Sequence, residues 1–250
     1  GRQPSDTRKL EGRTLDVGYL YYGGHECLTV FDDVFVPWER VFMYREHEFA
    51  QELVEKFASY HRQSYACKAG MGDVLIGATQ TIAEYNGIAD APHVRDKIVE
   101  MNHLNETIFC CSLACAHEGA SEPSGTYYVN PLMANITKLH VTRVPYELAR
   151  MSQEIAGGAV VTIPSEKDLR HPEVGHWVEK YMKGVAEVPS EDRIRVLRLI
   201  ESLTMGMGAA CYLPESMHGA GSPQAQRIMI ARQTNLKNKQ KAACRLCGID

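Results

Sequence analysis

No stretch of the 250-residue chain approaches the ~18 consecutive apolar residues that a membrane-spanning helix requires. The opening residues lack the charged-then-apolar order of a secretory signal. Basic charge is not in excess: 27 Lys and Arg against 31 Asp and Glu give a net charge of −4, which excludes a generally basic nucleic-acid binder. Disorder is excluded by an apolar content of 44%. One CxxC pair, Cys244 and Cys247, has no second cysteine pair to complete a zinc site, so a frayed terminal segment is expected there. The first residue is Gly1 rather than Met and the opening six residues are polar, which predicts a processed product, a fragment or one piece of a longer polypeptide. These absences predict a protein that binds neither membrane nor nucleic acid.

Eight cysteines, at 27, 67, 110, 111, 115, 211, 244 and 247, are scattered through a chain too large to need disulfide staples. The expected compartment is a reducing cytoplasm, with most cysteines acting as small buried apolar residues and one or two left as metal or cluster ligands. Between Ser216 and Ile249 there is no acidic residue, while Arg227, Arg232, Lys237, Lys239, Lys241 and Arg245 are all basic. That tail on an acidic body suits a nucleotide phosphate or an acidic partner subunit.

Two strand-like stretches, 15–22 and 27–36, flank a Gly23-Gly24 turn and stop at Pro37. Too few to form a stable sheet alone, they read as the end of a β domain over residues 1–45. Residues 46–250 read as a helical bundle domain with a C-terminal active-site turn and basic tail. A first long helix, 46–85, is expected to break at Ala69-Gly70-Met71-Gly72. A second has Asp90 as its N-cap, Pro92 in its first turn and a core-facing stripe of Val94, Ile98, Met101, Asn105, Ile108 and Cys115. A third, 132–155, is interrupted by Pro145, and a fourth starts at Ser190 with Glu191 and Asp192 at the positive end of its dipole. Residues 164–189 read as connecting loop with at most one short helix, and a last short helix covers 224–232. The fold class is therefore mainly α.

Chemistry-bearing residues concentrate in four places. His61, Tyr65, Cys67 and Lys68 lie within eight residues of one helix. Glu26 follows the Gly23-Gly24 turn. Glu154, Ile155, Ala156, Gly157 and Gly158 end a helix with paired glycines, which either cap it or admit a nucleotide close to the backbone. Glu215 and His218 precede Gly219-Ala220-Gly221-Ser222-Pro223, a flexible turn before a helix N-terminus where backbone N–H groups can approach a bound group. Each also has an ordinary structural reading: a polar helix face, a solvated turn, a C-cap or an interhelix turn.

In combination, the 61–68 segment, His103-Leu104-Asn105-Glu106-Thr107, the 154–158 stretch and above all the run from Glu215 to Ile230 resemble the 4-hydroxybutyryl-CoA dehydratases of the 4-hydroxyphenylacetate 3-hydroxylase flavoprotein family. The resemblance runs from about Gly12 onward and corresponds to the C-terminal part of the family's chain. It implies an acyl-CoA-dehydrogenase-like helical bundle, a homotetramer, FAD, an acyl-CoA substrate and a [4Fe-4S] cluster held by three cysteines and one histidine. By the resemblance His61 and Cys67 are cluster ligands, Tyr65 and Lys68 line the substrate site, Glu26 and Glu215 are active-site carboxylates, and residues 154–158 contact FAD across a subunit boundary.

The implied reaction is dehydration of 4-hydroxybutyryl-CoA to crotonyl-CoA, with vinylacetyl-CoA isomerisation, by a radical route using flavin and a cluster iron. The family's other two cluster cysteines belong to the part that has no counterpart here. His61 and Cys67 are six residues apart where the family has seven. In a regular α-helix six steps leave the side chains about 120° apart, which predicts a local distortion of the helix or altered cluster binding. The competing readings are a flavin monooxygenase of the same fold without a cluster, and a non-catalytic helical assembly subunit.

Overall fold

The computed structural model describes Leu15 and residues 27–249; the expected strand 15–22, the Gly23-Gly24 turn and Glu26 fall outside the described residues, Leu15 apart. The expected strand 27–36 is not one. The segment is exposed and unpaired by any ladder, because a strand needs a neighbour and none of the described residues supplies it. Among the described residues the β structure is instead a hairpin of two two-residue strands, β1 Ala120–Ser121 antiparallel to β2 Tyr127–Tyr128.

Helices make the body. Helix α1, Ala50–Ser64, passes through a 3-10 turn, Tyr65–Cys67, into α2, Lys68–Tyr85. The break expected at the glycines is therefore at Tyr65–Cys67. Gly70 and Gly72 stay helical, and Gly72 is required by packing: a Cβ there would sit 2.0 Å from Asn105 Oδ1. Asn105 in turn donates to the Ala69 carbonyl at 3.0 Å and to Asp73 at 2.7 Å, tying α2 to α3, Pro92–His117. The N-cap of α3 is Ala91 rather than Asp90, with Pro92 opening the helix where a missing N–H costs nothing.

The 132–155 region divides at Thr142-Arg143 into α4, Pro131–Val141, and α5, Val144–Ala156. Pro145 starts the second helix rather than interrupting one long one. The 164–189 connection holds two short helices, α6 Glu166–Arg170 and α7 Gly175–Tyr181. Helix α8, Ser190–Thr204, leads to α9 Met207–Tyr212, α10 Pro214–His218, α11 Pro223–Gln233 and α12 Leu236–Leu246. The CxxC pair lies on α12 and just past its end, not in a frayed tail.

Leu75, Ile82, Met101, Ile108, Leu148, Ile194, Leu197 and Ile200 are buried in one core drawn from α2, α3, α5 and α8. Their helical spacing is what the sequence periodicity requires. Of the eight cysteines only Cys115 is buried, while Cys27, Cys67, Cys110 and Cys247 are exposed. Most of the thiols therefore do not serve as core residues: Cys27 lies in an irregular segment, Cys67 in the 3-10 turn, Cys247 at a helix C-cap, and Cys110 on an outward helix face. No single helix among the described residues is long and apolar enough to cross a membrane.

Candidate active site

The 3-10 turn puts Tyr65 and Lys68 on the buried side of the α1–α2 junction, facing α10. Tyr65 is 5% exposed, and its hydroxyl donates to Glu215 Oε1 at 2.5 Å. Lys68 donates to Glu215 Oε2, also at 2.5 Å, and to the Cys211 carbonyl at 2.9 Å. Glu215 precedes the glycine-rich turn, as expected, and lies in the first turn of the short α10. There Pro214 fixes the entry angle. The turn that follows is needed as well. At Gly219 a Cβ would lie 1.6 Å from the Tyr65 hydroxyl, and Ala220 and Gly221 take φ of 56° and 99°.

Two further cations, unforeseen from sequence, complete the arrangement. Arg62, 8% exposed, bonds the Ala220 carbonyl through Nε at 3.0 Å and Asn135 through Nη1 at 2.9 Å. Lys138 of α4 has no solvent exposure. Its ammonium donates to the Ser216 carbonyl at 2.5 Å and lies 4.5 Å from the centroid of the Tyr65 ring. Desolvation pushes Lys138 down to about 8, against the nearby Glu215 charge that favours the ammonium. A lysine in a half-apolar helix gave no signal of this; only the fold turns it inward.

Arg62, Lys68 and Lys138 thus hold the carbonyls of Ala220, Cys211 and Ser216, fixing the backbone on both sides of Glu215. Lys68 bonds the carboxylate, Lys138 acts on it through its charge, and Arg62 holds the turn beside it at Ala220. Positive charge in a dry site favours an anion or a developing negative charge. The Glu215 side chain is 24% exposed and Lys68 8%, so the carboxylate is the member of the pair that solvent reaches more readily.

Of the other predicted residues that the structure describes, His61 borders the site and the rest lie elsewhere. His61, half-buried, sets its ring tilted against Tyr65, with centroids 5.4 Å apart, and against Phe57 at 5.5 Å. Cys67 is exposed. The expected local distortion is present: three 3-10 steps of about 120° in place of α steps bring His61 and Cys67 to about 60° apart around the axis, at a rise of about 10.5 Å, that of seven regular steps. No group of three or more His, Cys, Asp or Glu among the described residues is arranged to hold a metal ion. The donor set present, two groups at most, therefore does not by itself fit a four-ligand cluster.

The 154–158 stretch lies at the end of α5. Ile155 and Ala156 are buried in the core, so their side chains serve packing. Glu154 is exposed and paired with Lys97 at 3.0 Å. Gly157, at φ 72°, and Gly158 have no atom within 4 Å of an added Cβ, leaving an open backbone that suits the close approach of a planar group such as a flavin. His103 is exposed, with only Glu100 beside it at 3.4 Å. An open apolar groove of about 660 Å³ runs between Phe42, Met43 and Phe49 and the first half of α1, ending at Phe57 and Tyr60.

The 4-hydroxyphenylacetate 3-hydroxylase C-terminal (HpaB) family matches residues 50–248. The chain is 49% identical to the 4-hydroxybutyryl-CoA dehydratase/vinylacetyl-CoA-Δ-isomerase of Clostridium aminobutyricum, over all of this chain and 53% of that protein. A 4-hydroxyphenylacetate 3-monooxygenase oxygenase component of Thermus thermophilus is 26% identical over 76% of this chain and 40% of its own. Among solved structures, an oxygen-tolerant archaeal 4-hydroxybutyryl-CoA dehydratase from N. maritimus superposes with a TM-score of 0.95 at 54% identity, over all of this chain and 50% of that one. HpaB solved with FAD and 4-hydroxyphenylacetate shares the fold, with a TM-score of 0.78 at 23% identity over 87% of this chain and 47% of its own. The chain spans about half the length of the curated relatives it matches. It belongs to the 4-hydroxyphenylacetate 3-hydroxylase C-terminal family.

Proposed function

We propose that this chain is the C-terminal part of an enzyme that dehydrates 4-hydroxybutyryl-CoA to crotonyl-CoA, with vinylacetyl-CoA isomerisation. The observation that carries this reading is the buried Tyr65–Glu215–Lys68 cluster with its surplus of positive charge, in a chain 49% identical to a dehydratase of that name. Each Glu215 oxygen accepts one bond and retains a lone pair, so the carboxylate can take a proton from the acyl chain while staying fixed. Lys68 and Tyr65 hold it oriented. Lys68 and Lys138 lower the cost of the negative charge that develops when a carbon next to a thioester carbonyl loses its proton. In the proposal Tyr65 and Lys68 also line the substrate site, and Glu26 is a second proton-carrying carboxylate.

FAD is part of the proposal, with Gly157 and Gly158 offering it the open backbone at the end of α5 and Glu154 beside them. When bound, a flavin supplies reversible one-electron transfer. A [4Fe-4S] cluster belongs to the proposal only with ligands from outside the described residues, His61 and Cys67 supplying two; no step is derived through it. We further propose that residues 1–45 end a β domain, that the chain pairs with an N-terminal part and assembles as a homotetramer, and that the enzyme works in a reducing cytoplasm. The exposed apolar side chains of Leu28, Phe31, Phe35, Phe42 and Phe57 support pairing and assembly.

The test is analysis of the full-length native protein purified without oxygen. The proposal expects flavin, iron and crotonyl-CoA formation from 4-hydroxybutyryl-CoA. Flavin without iron, with hydroxylation of a phenol, establishes the monooxygenase instead, and absence of both cofactors establishes an assembly subunit.

A further inference from the structure

Three buried cations, Arg62, Lys68 and Lys138, hold the backbone around Glu215, and they differ in what they touch. Lys68 bonds the carboxylate and Arg62 bonds the loop at Ala220. Lys138 donates to backbone carbonyls, Ser216 at 2.5 Å and Met217 at 3.5 Å, and faces the Tyr65 ring. An apolar side chain of the same length would fill this space without the cost of burying an ammonium. What the ammonium adds is a link. One face of it meets the phenol that bonds Glu215, and the other meets the carbonyl of the residue after Glu215.

Resting on the functional reading above, we propose that Lys138 is a positioning residue for the reaction: its ammonium, held between the Tyr65 ring and the Ser216 carbonyl, locks α10 against the 3-10 turn so that Glu215 and Tyr65 stay in register, and adds a positive charge behind them. Lys138 does not touch substrate and carries no proton in the reaction. The charged groups acting on it are Glu215 on α10, which favours the ammonium, and Arg62 on α1 and Lys68 on α2, which oppose it. Tyr65 faces it from the 3-10 turn. Of the other helices packed on α4, α11 buries only the uncharged Gln226. Helix α3 brings Cys115, whose thiol burial pushes up to about 11. On its own helix His140 is held low by burial. Burial holds Lys138 at about 8, so the lock is charged at neutral pH and released above it.

The experiment uses the complete, cofactor-loaded enzyme. Wild-type kcat is expected to fall above about pH 8. Lys138→Met keeps the stem and removes the charge. It should lower kcat on the order of 10–10²-fold with little change in KM, as misplacement of a reacting group does, and should lose the limb near pH 8. Lys138→Arg keeps the charge at all accessible pH and should recover part of the rate with the alkaline limb moved upward. A filler role predicts only lower melting temperature and an unmoved limb. Lys138→Met with kcat within about twofold of wild type, or with the limb near 8 intact, overturns the proposal. If Lys138→Met does not fold, the wild-type and Lys138→Arg profiles decide it by the same limb.

A second measurement needs no turnover. The folded value of about 8 lies below the ordinary 10.5, so the folded protein sheds this proton first. Wild type should therefore gain stability relative to Lys138→Met as pH rises from about 8 to 10.5, with a flat difference below. A flat difference throughout would show that Lys138 titrates alike in the folded and unfolded chain and is not held desolvated between Tyr65 and Ser216, which overturns the proposal. A wild-type enzyme inactive on the thioester sinks the functional reading only, and the stability difference then decides Lys138 alone.

Discussion

Tyr65 donates its hydroxyl hydrogen to Glu215 at 2.5 Å across 150 residues of sequence, joining the turn between α1 and α2 to the first turn of α10. The 3-10 turn aims the phenol, Gly219 leaves it room, and Lys68 closes the other oxygen of the carboxylate. The contact depends on tertiary packing throughout.

Glu215→Gln keeps the size of the side chain and an acceptor for Tyr65 while removing the ability to exchange a proton. A positioned acid or base contributes about 10²–10⁴-fold, so turnover of the complete enzyme should fall by that much. Flavin and iron contents should stay unchanged. Near-normal crotonyl-CoA formation by this variant removes Glu215 from the mechanism.

Tyr65→Phe deletes the hydrogen bond and leaves the ring on Lys138. A bond to a charged group is worth about 1.5–3 kcal/mol, so kcat should drop about 10- to 150-fold with the fold intact. Circular dichroism alongside steady-state kinetics checks both halves. A rate loss below threefold means that Lys68 alone positions the carboxylate.

How much of this was legible beforehand divides along physical lines. The core stripe of α3 and the acidic start of α8 follow from period and dipole, which are local, and they stand as expected. Tyr65, Lys68 and Glu215 were picked out as chemistry-bearing residues, and the fold brings them together. Lys138 and Arg62 were missed because nothing in their neighbours distinguishes a cation turned inward from one in solvent. The misplaced helix break has a similar cause: glycine composition pointed to residues 69–72, yet Asn105 on another helix fills the space that Gly72 leaves.

Gly72→Ala tests that last point. The added methyl would overlap the Asn105 amide and force it off Ala69 and Asp73. Helix propensity favours alanine by up to about 1 kcal/mol, but overpacking a tight contact costs about 1–3 kcal/mol. The melting temperature should therefore fall. A rise would mean that Asn105 moves aside freely.

Acid should weaken the junction of α6 and α8. Glu191 accepts from Arg170 and from Arg195, each at 2.8 Å, and these guanidinium partners hold its carboxyl down to about 2. A depressed carboxyl stabilises the fold above its unfolded value of 4.5 and loses that contribution as pH falls towards 2. The stability deficit of Glu191→Gln should thus be constant above about pH 5 and shrink towards zero near pH 2. It should also diminish in high salt, because the pair is largely solvated. A deficit independent of pH would assign it to packing.

The geometry is most exposed to failure at Gly219. A Cβ built there falls 1.6 Å from the Tyr65 oxygen and 2.6 Å from the ring carbon that carries it, so Gly219→Ala must push the phenol away from Glu215. The expected result is a loss of kcat comparable with that of Tyr65→Phe, by the same mechanism reached from the opposite side. A double-mutant cycle separates this from general damage to the turn. With the hydroxyl already gone, the alanine meets less of the ring and has no hydrogen bond left to break. Gly219→Ala in the Tyr65→Phe background should then cost much less than in wild type, because residues in contact couple while independent ones add. Strict additivity of the two losses would show that the alanine acts through the backbone of the α10–α11 turn, and that the space at Gly219 is not what seats Tyr65 on Glu215.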